Sequence, residues 1–268
     1  MEKPWGGKMG EGARKWAEQV SRRWGWIWDF GLGVLYPEEC RVCGGRVEEW
    51  AGGVACRACW QRMDERRARL RCCQRCGGWL TKEDTRTCPN CPLEGEGGLV
   101  AARSAGPHEG ALRESVLWLK RHPRMARRVR ESLGTAWQLL PGREGVEVLI
   151  PVPLHPTREQ ERGFNQAEVM ARWLGQETGL PVETTSLIRR RPTERHRLGM
   201  GRRERSRSLE GAFVVRAPRL VEGRSLLLVD DVMTTGTTAL AIGETLRQAG
   251  ATAVRLVTLT RASSDPAR

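Results

Sequence analysis

At 268 residues, with a formal net charge of +13 and a pI of about 10.1, the chain has room for one full α/β domain plus a small module. Only five basic residues are lysines (Lys3, Lys8, Lys15, Lys82 and Lys120), so the excess is arginine, which suits bidentate phosphate contacts; this points to a polyanionic partner or a phosphorylated substrate without choosing between them. Nine cysteines without a secretory leader argue against disulfides and for metal in a reducing, cytoplasmic compartment, and no run is long and apolar enough to span a bilayer.

In chain order, residues 1–37 are an N-terminal extension. Residues 13–30 read as an amphipathic helix that docks on the body. The stretch Trp24 to Tyr36 is apolar but is broken by Asp29 and three glycines, and peripheral membrane contact is its alternative reading.

Residues 38–93 form a cysteine module. Cys40-x2-Cys43, Cys56-x2-Cys59, Cys73-x2-Cys76 and Cys88-x2-Cys91 follow one another at intervals of twelve, thirteen and eleven residues. Two residues between thiolates let both sulfurs reach one tetrahedral ion, so the module reads as a double zinc ribbon with sulfur at every position and none open for catalysis. The simplest pairing joins the first pair to the second and the third to the fourth; a crossed pairing stays open. Cys72 is the odd thiol and is not expected to be a ligand. So small a module has little core, and metal would supply much of its folding energy. Arg41, Arg57, Arg62, Arg66, Arg67, Arg69, Arg71 and Arg75 could touch nucleic acid or could be a solvated face.

A Gly/Glu turn at 93–98 leads to a short strand over 99–104, a helix over 109–120 and a second helix from Pro123 to about Leu140. Val148 to Val152 is a buried-strand run. Arg158 and Arg162 stand four residues apart and share a face if the segment is helical. Gly163 breaks it. Asn165 is the N-cap of the next helix, close to a capping box with Glu168, and Gly179 ends that helix. Residues 182–188 read as a strand. Residues 189–207, with nine Arg against two Glu, read as a loop lacking apolar period, which a strand at 211–215 follows. His196 lies in this loop, and its role stays open.

The last unit is the most informative. Leu226 to Val229 reads as a strand, Asp230 and Asp231 follow, and Thr234-Thr235-Gly236-Thr237-Thr238 opens a helix closed by Gly250. A helix N-terminus offers unpaired N–H groups and partial positive charge to a phosphate, and glycine permits close approach. The two acids would repel that phosphate but suit neutral hydroxyls. An ordinary solvated turn, or a Mg²⁺ site for phosphoryl chemistry, are the alternatives.

That stretch resembles the phosphoribosyl-pyrophosphate (PRPP) motif of type I phosphoribosyltransferases. Together with Pro151-Val-Pro-Leu-His-Pro156, Arg158, Arg162-Gly-Phe-Asn-Gln166, Leu119-Lys120 and the zinc ribbon, it is similar to the ComF family, phosphoribosyltransferase-like proteins linked to DNA uptake in natural competence. The resemblance runs from about residue 32 to the C-terminus. It implies a transferase-like domain over 99–268, with a mostly parallel five-stranded sheet and helices on both faces. It implies Asp230 and Asp231 on the ribose hydroxyls. Thr234, Thr235, Gly236, Thr237 and Thr238 would lie on the 5′-phosphate, with Arg158, Arg162 and Lys120 near the pyrophosphate. Mg²⁺ would arrive with PRPP. The arginine loop departs from the family pattern, with Glu194-Arg195-His196 after Thr193 and Ser208 near a usual Asn, which leaves the acceptor open. The implied activity is phosphoribosyl transfer to a nitrogen acceptor. The alternative is a non-catalytic competence factor that binds single-stranded DNA. Other competence proteins are possible partners in either case.

Overall fold

The computed structural model describes residues 38–49, 52–80, 85–89, 91–93, 98–191, 209 and 211–262. The helix expected over 13–30 and the greater part of the arginine loop, His196 included, lie outside the described residues.

Four strands form one parallel sheet: β1 (Ala101–Pro107), β2 (Val148–Pro151), β5 (Ser225–Met233) and β6 (Ala253–Arg261), in the order β1-β6-β5-β2. A separate antiparallel pair is made by β3 (Leu187–Arg189) and β4 (Phe213–Val215). The helices are α1 (Arg57–Arg69), α2 (Gly110–Leu119), α3 (Arg127–Gln138), α4 (Pro156–Arg162), α5 (Gln166–Thr178) and α6 (Thr237–Gln248).

The sheet runs are near-continuous apolar stretches because both faces are covered. Leu149, Leu227, Val229, Val257 and Leu259 point to one layer, where they meet Leu112, Val116 and Leu119 of α2, Leu133 of α3, and Met170 and Leu174 of α5. Val148, Ile150, Leu226, Leu228, Val254 and Leu256 face the other, with Ile242 and Leu246 of α6. Each of these side chains is buried, and each stabilises the fold by roughly 1.5–3 kcal/mol relative to exposure.

The cysteine module is built into these layers. Trp60 and Met63 of α1 join the α2/α3/α5 core, and Cys73, Cys76, Cys91 and Leu93 join the α6 core. The module therefore straddles β1, an edge strand. The Ala102 amide donates to the Arg75 carbonyl (2.7 Å), and Arg103 Nη1 donates to the Cys73 carbonyl (2.8 Å).

Four expectations need correction. The main sheet has four strands among the described residues, not five: of residues 182–188, Val182 keeps one bridge to it, with Leu149, while Leu187 and Ile188 pair with β4 instead. The Glu183 carboxylate accepts from Thr185 N, Thr185 Oγ1 and Ser186 N (2.6, 2.7 and 2.9 Å), taking amides that a longer strand would have paired. The strand expected to stop at Val229 continues through both acids to Met233, because β6 stays paired beside it as far as Arg261. The second helix starts at Arg127, after an extended Ala126, rather than at Pro123. The capping box is half made: Asn165 Oδ1 accepts from Ala167 N (2.9 Å), but the Glu168 carboxylate pairs with Arg172 at 2.5 Å.

Candidate functional site

The carboxyl ends of β1, β2, β5 and β6 point the same way, and the chemistry-bearing side chains gather there, where open α/β sheets hold ligands. Asp230 and Asp231 are the sixth and seventh residues of β5. The Asp231 amide donates to Asp230 Oδ1 at 2.8 Å. Burial, reinforced by the neighbouring Asp231 carboxylate, raises Asp230 well above the usual carboxylate range, and Lys120 pulls the other way. Asp231 is only 6 % exposed. Its Oδ2 forms an ion pair with Lys120 Nζ at 3.1 Å. Lys120 is placed by the C-cap of α2, whose apolar face is anchored by Leu112, Val116 and Leu119.

Three residues later in the same strand-to-helix unit lies the loop. Gly236 caps α6 with φ of +77°, a conformation that disfavours a Cβ, and a Cβ there would meet Met233 Cε at 2.6 Å. Thr235 and Thr237 hydroxyls are hydrogen-bonded at 2.7 Å. Thr234 is exposed, Thr235 and Thr238 are half-buried, and Thr237 is buried. The first amides of α6 have no partner inside the helix.

Arg158 and Arg162 lie on α4, which Pro156 starts and the left-handed Gly163 ends. Burial, with Arg158 beside it, holds the Arg162 guanidinium below its ordinary value, while Asp231 opposes this. Burial and Arg158 act in the same direction on Arg189, opposed by Asp230. Both guanidinium groups nonetheless stay charged. The structure thus brings Lys120, Arg162 and Arg189 around the two acids, with Arg158 beside both arginines. Beside β2, a cavity of about 370 Å³ is lined by Pro153, Leu154, Ile188, Arg189, Arg190 and Arg216 among others.

The cysteines form two groups in sequential pairing: Cys40, Cys43, Cys56 and Cys59, then Cys73, Cys76, Cys88 and Cys91, with the sulfurs of each group within 4.8 Å of one another. Four of the contacts measure 3.6, 3.7, 3.9 and 3.5 Å. Tetrahedral zinc with Zn–S of about 2.3 Å requires sulfur separations of about 3.8 Å, so both tetrads fit. Knuckle amides are aimed at the sulfurs, with Cys56 N donating to Cys40 Sγ (3.3 Å) and Gly78 N to Cys76 Sγ (3.4 Å). Burial opposes ionisation of Cys40 and Cys73, but backbone N–H groups outweigh it and bring them to about 6 and about 7. Such sulfurs favour the thiolate that binds metal. Cys72 stands outside the tetrads and accepts from Arg103 Nη1 at 3.2 Å.

A double zinc ribbon family model matches residues 31–92, and a phosphoribosyl transferase domain model matches residues 149–268. The chain is 35% identical over 117 residues to "DNA utilization protein YhgH" of Salmonella typhi, covering 42% of this chain and 48% of that one. It is 33% identical over 117 residues to "Competence protein F" of Haemophilus influenzae, covering 43% and 51%. With a double zinc ribbon followed by a phosphoribosyl transferase domain, and with these relatives, the chain is similar to the ComF family. To "Competence protein ComFC" of Bacillus subtilis it is 34% identical over 91 residues, which is 34% of each chain. The chain spans about half the length of the first two relatives. Among the described residues no helix is long and apolar enough to cross a membrane.

Three residues at this site escape sequence reading. His108 follows β1, and its Nδ1 lies 2.9 Å from Thr260 Oγ1. Burial lowers its pKa, as do Lys120 and Arg113, so the imidazole is neutral near pH 7. Its place just beyond a strand end was its only local signal. Arg189 reads as the first residue of an arginine loop but is the last residue of β3. Arg261 ends β6 and is buried, with no pattern in the sequence to mark it.

Proposed function

We propose that this chain binds PRPP with Mg²⁺ and transfers its phosphoribosyl group to a nitrogen acceptor, in a role linked to DNA uptake. One observation carries the reading: two adjacent acids at the end of β5 run straight into a glycine-capped helix N-terminus, with Lys120, Arg162 and Arg189 around the acids and Arg158 beside those arginines. The matching phosphoribosyl transferase domain supports it.

In this reading the amides of α6 and the hydroxyls of Thr234, Thr235, Thr237 and Thr238 hold the 5′-phosphate. Asp230 and Asp231 accept from the ribose 2′- and 3′-hydroxyls. Lys120 turns from Asp231 toward the pyrophosphate, with Arg158 and Arg162 neutralising the remaining charge. Mg²⁺ would be held by pyrophosphate and ribose oxygens and supplies charge neutralisation when bound. The bond from C1 to pyrophosphate breaks as a nitrogen lone pair forms the C–N bond. The two carboxylates stabilise the positive charge that develops at the ribosyl centre. Residues 38–93 act as a structural zinc module and residues 99–268 as the transferase unit. A reducing, cytoplasmic setting suits nine unpaired cysteines.

The names of the relatives, "DNA utilization protein" and "Competence protein", support a DNA partner. The exposed Arg41, Arg57, Arg62, Arg69, Arg71 and Arg75 offer phosphate contacts for single-stranded DNA. Calorimetry separates the two activities. PRPP with Mg²⁺ binds wild type and is lost in the Asp230→Asn/Asp231→Asn variant. If that variant binds PRPP like wild type, the site assignment falls. Salt-sensitive DNA binding that survives the double change, without any PRPP binding by wild type, supports the non-catalytic competence factor instead.

A further inference from the structure

We infer that Arg261 is a positioning residue that ties the second cysteine tetrad to the phosphate loop, so that metal in that tetrad and ligand on α6 stabilise one another. The part concerning ligand rests on the PRPP reading above.

The argument begins with a charge in the wrong place. Arg261 is 6 % exposed, and a guanidinium keeps its proton in a protein. A buried cation without a counter-charge costs several kcal/mol. Among the described residues its hydrogen bonds go to no carboxylate. Nη1 donates to the Cys76 carbonyl (2.6 Å) and to Met233 Sδ (3.0 Å), Nη2 lies 3.9 Å from Cys76 Sγ, and Nε is buried with no partner. Gly78 leaves the space: a Cβ there would stand 3.3 Å from Nη2. The negative charge beside Arg261 is thus the tetrad of Cys73, Cys76, Cys88 and Cys91. Four thiolates around one Zn²⁺ carry a formal charge of about −2.

On its other side the guanidinium holds Met233. Met233 pairs with Arg261 at the ends of β5 and β6, its carbonyl accepts from Ala262 N (2.9 Å), and its methyl lies directly beneath Gly236. The path from sulfur to phosphate loop is therefore Cys76, Arg261, Met233, Gly236, with contact at each step. Losing metal frees the four sulfurs from their shared ion, and with them the Cys76 carbonyl and sulfur that hold the guanidinium. The guanidinium then leaves the buried position, and Met233 loses the contact that fixes it under the loop.

The test uses the full zinc-loaded chain, with zinc release to a chelating dye, alkylation of the second tetrad read by mass spectrometry, and PRPP–Mg²⁺ calorimetry. Arg261→Met, which keeps length without charge, should release the second zinc at least tenfold faster and raise the PRPP Kd about tenfold. Stripping that zinc from wild type should raise Kd similarly, and stripping it from Arg261→Met should add little. Arg261→Lys should fall between wild type and Arg261→Met in zinc release. Met233→Leu, which keeps the volume but removes the sulfur, should weaken PRPP about threefold with zinc release unchanged. Wild-type zinc release and Kd in a folded Arg261→Met would overturn the inference. If Arg261→Met does not fold, Arg261→Lys and Met233→Leu decide: both matching wild type overturns it. Should wild type itself not bind PRPP, the reading of the site fails separately. Zinc release in the variants then still upholds or sinks the contact between Arg261 and the tetrad.

Discussion

The ion pair between Lys120 and Asp231 can be tested before any ligand is known. At 3.1 Å the gross attraction is about 5 kcal/mol at an effective dielectric constant of about 20. The Asp231 side chain is 8 % exposed but that of Lys120 is 34 % exposed, so water screens one partner and desolvation opposes the pair. The net coupling expected is about 1–2 kcal/mol. Lys120→Met, Asp231→Asn and the double variant, unfolded in urea at pH 7, give that coupling as the non-additive part of their stabilities. Lys120→Met alone should be the more damaging single change, because it leaves a buried carboxylate unpaired, whereas Asp231→Asn leaves a lysine that can reach solvent. A coupling below about 0.3 kcal/mol, or the reverse order of the single variants, would refute the reasoning.

Other consequences follow from the same geometry. Asp230 has a folded-state pKa raised by burial and by Asp231, so its contribution to stability is present below the ordinary carboxylate value and is lost as pH rises through the raised one. Wild type should therefore lose stability relative to Asp230→Asn as pH rises from about 4, by about 1.4 kcal/mol for each pH unit separating the two values; parallel urea midpoints across pH 4–8 would contradict this. Gly236→Ala forces a left-handed alanine and a Cβ 2.6 Å from Met233 Cε, so stability should fall by about 1–2 kcal/mol, with PRPP binding weakened as well; an unchanged midpoint counts against the loop geometry. Native mass spectrometry should find one zinc for each tetrad, and Cys91→Ser should abolish retention at the second while the first still holds its ion; loss of both together would show that the tetrads are not independent sites.

What could be read in the sequence was whatever one local pattern specifies. The CxxC spacing prescribes knuckles, and the loop from Asp230 to Thr238 carries acids, glycine and hydroxyls in a single run. Where two distant segments decide the outcome, local pattern falls short. The end of β5 is set by pairing with β6, a constraint that lies more than twenty residues away. The missing fifth strand turns on the Glu183 carboxylate taking the amides of Thr185 and Ser186, an outcome invisible to alternation of apolar residues. Glu168 had two partners within reach, the helix N-terminus and Arg172, and took the cation. His108 follows β1, Arg189 ends β3 and Arg261 ends β6, and only the tertiary fold makes them neighbours of one site or of the metal module.

That sheet order also gives the zinc module a reason beyond its own stability. β1 is an edge strand, and an uncovered edge offers unpaired amides and carbonyls to any other chain. Here the second ribbon lies along it, with Arg75 and Cys73 carbonyls taking Ala102 N and Arg103 Nη1, and with Gly77 so close that a Cβ would stand 3.0 Å from the Ala102 carbonyl. The first ribbon meanwhile sends Trp60 and Met63 into the helical layer that carries α2, and α2 carries Lys120. One metal-stapled module thus covers the edge of the sheet while packing against both layers that shape the site: Lys120 through α2, and the Gly236 loop through Arg261 and Met233. A core too small to fold alone is stabilised by zinc and by the sheet together, so the two units of this chain are better understood as one folded body than as a domain with an appendage.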